Sequence, residues 1–100
     1  MKRKRTPSTN DIIHIFWRRK NRPKLRVRKL DRNTVLIEGT SAAFEFLGRF
    51  LLAHSQEEDC KTWISPKGAG SVWFTKDSKL GLYLHRLPCT LNPHAKMRVP

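Results

Sequence analysis

Residues 42–54 form the most sustained helical period in this chain, and that stretch constrains what the rest can build. Phe44, Leu47 and Leu51 recur at helical spacing with Ala43, Phe50 and Ala53 beside them, and Thr40 or Ser41 supplies a cap. One apolar stripe needs one apolar surface to bury it. On either side of the helix the period changes to two. Leu25 and Val27 alternate with Arg26 and Arg28, and Asp31-Arg32-Asn33 reads as a turn. Val35 and Ile37 then share a face of a second strand over residues 34–38, so the pair predicts a hairpin. Beyond the helix, residues 60–65, 71–75 and 80–87 read as three more strands, separated by Pro66, Gly68-Ala69-Gly70 and a polar turn at 76–79.

This order predicts an α+β fold: a two-layer domain with a mainly antiparallel sheet of about five strands and one main helix on one face. The step from the second strand through the helix to the third should cross over right-handed, with those two strands parallel if they share the sheet. Residues 1–10 read as a disordered basic tail, 24–89 as a single α+β domain and 90–100 as a loose C-terminal tail. Residues 11–23 form a basic segment that is helix or strand. Caps at residues 8–10 and Asp11 in a first turn favour a helix, whereas Ile12-Ile13-His14-Ile15-Phe16-Trp17 favours a strand; the two readings stand level.

Charge is distributed unevenly. The 100 residues carry a formal net charge of +13, and residues 1–32 hold thirteen of the 21 Lys and Arg but only two of the eight acids. The rest of the chain has the mixed charge of an ordinary globular surface. A basic arm on a folded body is the expected organisation, and the density of the arm points to a polyanionic partner. RNA or DNA is the first expectation, held mainly through phosphates by Arg18, Arg19, Lys20, Arg22, Lys24, Arg26 and Arg28, without base specificity. An acidic protein partner is the alternative. No apolar run approaches the ~20 residues of a membrane span, and the short stretch at 12–17 does not make a secretory leader. The expectation is a cytoplasmic protein without integral membrane association. Its oligomeric state is not legible.

Strand parity sharpens the nucleic-acid reading. With Leu25, Val27, Val35, Ile37, Ile64, Val72, Phe74, Leu82 and Leu84 facing the helix, the opposite face carries Arg26, Arg28, Leu36, Trp63, Trp73, Tyr83, His85 and Leu87. Trp63, Trp73 and Tyr83 would there form a platform for stacked bases. The competing reading has residues 11–20 fold over that face, with Phe16 and Trp17, to make a second small core.

Catalytic signatures are lacking. Gly68-Ala69-Gly70 lacks the Lys-Ser/Thr ending of a phosphate loop, Glu57-Glu58-Asp59 reads as a solvated acidic run, and Ser41, Ser71 and Ser78 sit in no nucleophile elbow. Two cysteines do not make a disulfide framework. His54, Cys60 and Cys89 could meet at one end of the sheet, with His85 or His94 completing a tetrahedral zinc set. The irregular spacing favours instead a buried pair of reduced thiols, so the reading is a non-enzymatic protein with no cofactor or metal.

Leu36-Ile37-Glu38-Gly39 running into a small-residue helix, followed by Trp63-Ile64-Ser65-Pro66, Ser78, Leu82 and Arg86, resembles small uncharacterised bacterial α+β proteins. Among these is an immunity-protein family of polymorphic toxin systems. The resemblance covers residues 35–87 and implies a non-catalytic module that binds a toxin. The basic arm departs from that pattern, because an inhibitor of a nuclease toxin would more often be acidic.

Overall fold

The first helix, α1 (Thr9–Trp17), is set by a reciprocal cap. The Ser8 hydroxyl accepts from the Asp11 N–H at 3.1 Å, and the Asp11 carboxylate accepts from the Ser8 N–H at 2.9 Å. This resolves the level reading of residues 11–17 as helix, and it draws residues 8–10, expected in the tail, into the cap and first turn. The computed structural model describes residues 7–89; the Lys2 to Arg5 run, the expected 90–100 tail and His94 lie outside the described residues.

The hairpin forms as expected: β1 (Arg26–Asp31) pairs antiparallel with β2 (Thr34–Glu38), Val27 opposite Ile37, with an irregularity before the turn. Helix α2 (Ser41–His54) follows, its N-cap hydroxyl on Thr40 accepting from the Ala43 N–H. A second hairpin pairs β3 (Lys61–Ile64) with β4 (Leu82–His85), Trp63 opposite Tyr83 and Lys61 opposite His85.

Among the described residues the result is a small two-layer α+β domain with two α-helices and two short antiparallel sheets. It corrects the expected mainly antiparallel sheet of about five strands with one main helix. The strand–helix–strand step links two different sheets, so β2 and β3 are not parallel neighbours. Residues 71–75 are not a strand: Ser71–Trp73 is a 3-10 turn. Gly70 enters it at φ 83°, left-handed backbone that also places its α-carbon against Ile64, where a Cβ would lie 2.7 Å from a methyl carbon.

That turn still serves the sheet. The Leu25 N–H donates to the Trp73 carbonyl at 2.7 Å, the Thr75 N–H to Leu25 and the Lys79 N–H to Val27. Ser78 completes the line: its buried hydroxyl accepts from the Val27 N–H and donates to the Leu25 carbonyl, both at 3.0 Å. The free edge of β1 is therefore satisfied by an irregular segment, as buried backbone requires.

The core holds Ile12, Phe16, Leu25, Val27, Phe46, Phe50, Ile64, Trp73 and Phe74. Phe46 is its hinge point, stacked on Trp73 with ring centroids 4.5 Å apart and edge-on to Phe16 at 5.3 Å. The buried stripe of α2 is Ala43, Phe46, Leu47, Phe50, Ala53 and His54. Phe44 and Leu51, expected at its centre, are instead 46% and 43% exposed. Apolar residues almost encircle this helix, so sequence period alone does not choose the face.

Candidate functional site

Four cations of the described arm residues, Arg19, Arg22, Lys24 and Arg26, contact the fold. The Arg19 guanidinium lies 4.1 Å from the centroid of the Phe16 ring and 3.8 Å from the Glu45 carboxylate. Arg22 stacks over Trp17 at 4.0 Å while its Nε donates to the Trp17 carbonyl. The Lys24 ammonium donates to the Val72 carbonyl. Arg26 bridges Glu38 at 3.4 Å and Asp77 at 2.8 Å. Asp77 responds: hydrogen bonding from Thr75, then the Arg26 charge, outweigh partial desolvation and hold its carboxyl below the usual range. Arg18, Lys20 and Arg28 make no ion pair among the described residues, and the Arg28 Nε is covered without a partner. The seven cations expected to form one phosphate-binding strip thus divide between internal contacts and a remainder with no acid partner among the described residues.

The expected aromatic platform also divides, because its three members stand on different elements. Trp73 is 1% exposed and belongs to the core, where the 3-10 turn has removed it from strand parity. Segment 11–17 does cover it, Trp17 meeting Trp73 edge-on at 6.2 Å. Trp63 and Tyr83 remain together on the outer face of the second hairpin. Their rings are 5.8 Å apart with planes 6° from parallel, and Trp63 is 42% exposed. Parity explains this pair: Ile64, Leu82 and Leu84 turn to the core, which sends Trp63 and Tyr83 outward. Lys61 and His85 occupy the next register position on that outer face. Lys61 lies outside the basic arm, although its spacing of two from Trp63 is legible in the sequence. The edge of the pair borders a shallow depression of about 190 Å³ lined by Ser65 and Gly81.

At the open end of this hairpin, donor atoms of Cys60, His85 and Cys89 all lie within 4.8 Å of one another. Cys60 is buried and Cys89 half-buried, and their sulfurs lie 2.7 Å apart in hydrogen-bond contact. Hydrogen bonding to Cys89, reinforced by burial and by the neighbouring negative charges, pushes the Cys60 thiol up from its ordinary value. Of the sequence candidates for a thiol–imidazole cluster, His85 joins the cysteines. His54 instead bonds Glu57, its Nδ1 3.2 Å from the carboxylate. Arg86 stitches the same end of the fold, donating to the carbonyls of His54 and Asp59.

Comparison with protein families, curated proteins and solved structures finds no match for this chain. No relative tests the resemblance of residues 35–87 to small uncharacterised bacterial α+β proteins, an immunity-protein family among them. Among the described residues no helix is long and apolar enough to cross a membrane.

Proposed function

We propose that this protein binds single-stranded nucleic acid, with Trp63 and Tyr83 stacking on bases and Lys61 beside them contacting phosphate. The observation that carries the reading is the outward-facing, parallel Trp63–Tyr83 pair in a chain of net charge +13. Aromatic faces accept any base, so the binding has no base specificity. Phosphate contact adds a salt-dependent term, to which Arg18, Lys20 and Arg28 contribute as cations without an internal acid partner among the described residues. RNA and DNA share this chemistry. The protein acts by binding and not by catalysis.

The test is titration of the full chain with a fluorescent single-stranded oligonucleotide at two salt concentrations. Stacking of ~1–3 kcal/mol per base predicts that Trp63→Ala or Tyr83→Ala weakens binding by roughly 5–150-fold. Lys61→Ala lowers the salt slope by about 1. Absence of binding near physiological salt, or unchanged affinity in both aromatic variants, overturns the reading.

A second reading, a module that docks an acidic protein partner, draws on the outer stripe of α2. Phe44, Leu51 and Leu52 are all exposed there, Leu52 at 69%, with Arg49 alongside. It predicts failure of the oligonucleotide titration, together with saturable one-to-one binding of a partner that Leu52→Asp abolishes.

A further inference from the structure

We propose that Cys60, His85 and Cys89 form a zinc site that clamps the open end of the β3–β4 hairpin. Two cysteine sulfurs and an imidazole nitrogen are the donor set that Zn²⁺ prefers, and here they converge from three separate points of the chain. Tetrahedral coordination at ~2.3 Å for sulfur and ~2.0–2.1 Å for nitrogen places donor atoms about 3.5–3.8 Å apart. The cluster already lies within 4.8 Å on every edge, so its centre can accept the ion after side-chain adjustment. The sulfurs, now at 2.7 Å, would open by about 1 Å to bind the ion.

The chemistry balances. Zn²⁺ displaces one proton from each thiol, and the two thiolates neutralise the ion, so a half-buried centre carries no net charge. The His85 imidazole supplies the third donor, and water the fourth.

The position gives the ion a mechanical role. At one end of the hairpin the chain between Ile64 and Leu82 packs back on itself, with Gly81 against the Ile64 carbonyl. At the other end Cys60 precedes β3 and His85 ends β4, joined by the Lys61–His85 register pair and the Arg86 N–H to Cys60 carbonyl bond. Two strands of four residues hold together weakly on their own. An ion bridging them would fix the strands that present Trp63 and Tyr83. Zinc binding does not depend on nucleic-acid binding, and either can fail alone.

The test uses the full chain purified under reducing conditions and titrated with Zn²⁺ and with Co²⁺. The expected result is one ion per chain, with a thiolate-to-cobalt charge-transfer band and the intense visible bands of tetrahedral Co²⁺. Alkylation should modify both cysteines in the metal-free protein and neither in the zinc form. Cys60→Ser, Cys89→Ser and His85→Ala should each weaken zinc binding by more than the roughly 10–100-fold cost of losing an outer-shell partner. Failure of the wild-type chain to give the cobalt spectrum overturns the proposal without recourse to variants. So does tight binding retained in all three variants, or a Cys60–Cys89 disulfide that persists in reductant and excludes the metal.

Discussion

Thr9 donates twice to Glu57: its backbone N–H and its hydroxyl both reach the same carboxylate oxygen at 2.8 Å, across 48 residues of sequence. The other oxygen of Glu57 faces His54. One carboxylate thus ties the first turn of α1 to the end of α2. Burial alone would raise the Glu57 pKa, but the two Thr9 hydrogen bonds, with His54 after them, hold it below the ordinary carboxylate value.

Stability should therefore depend on pH through Glu57. Its depressed folded pKa stabilises the native state above the unfolded value of ~4.3, and this contribution disappears as pH falls through the folded pKa. Urea unfolding at pH 7 and pH 3 should show the loss. Glu57→Gln should be less stable at pH 7 and should flatten the profile in that acid range. An unchanged profile in Glu57→Gln would count against the linkage.

Ser78 should be worth more than an ordinary surface serine. Its hydroxyl serves both the Val27 N–H and the Leu25 carbonyl, and Ser78→Ala leaves them without that partner inside the fold. The expected cost is about 1–3 kcal/mol, read as a lower urea midpoint at unchanged slope.

The two phenylalanines of α2 that lie two residues apart should behave oppositely. Phe46→Ala removes the ring between Trp73 and Phe16 and should cost about 3–5 kcal/mol. Phe44→Ala, on the exposed face, should stay within about 0.5 kcal/mol. Equal effects in denaturant melts would place the buried stripe wrongly.

Gly70→Ala should destabilise through the backbone. An alanine at φ 83° is strained, and its Cβ would meet the Ile64 side chain. A cost of about 1 kcal/mol or more lowers the melting temperature by roughly 4–8 °C or more. Gly68→Ala, where a Cβ meets nothing, is the matched control.

What the sequence determined by itself was local. The β1–β2 hairpin, helix α2 with a cap at Thr40 or Ser41, and the outward parity of Trp63 and Tyr83 all follow from periods and caps within a few residues of one another. What it could not decide was non-local. Helix α2 carries apolar residues nearly all round, so only packing against Phe16 and Trp73 selects Phe46 over Phe44 for the core. Residues 71–75 have strand composition, yet Gly70 and the burial of Trp73 turn them into a 3-10 segment that lines β1. The arm cations read as one strip because charge is visible in sequence, whereas the carboxylates that engage Arg19 and Arg26 arrive from Glu45, Glu38 and Asp77. Cys60, His85 and Cys89 carry no recognisable spacing; antiparallel pairing of β3 with β4 brings Cys60 and His85 together, and the chain after β4 delivers Cys89. Periodicity reports which side of an element is apolar, but its neighbours in space decide which side is buried, which charges pair and which donors meet.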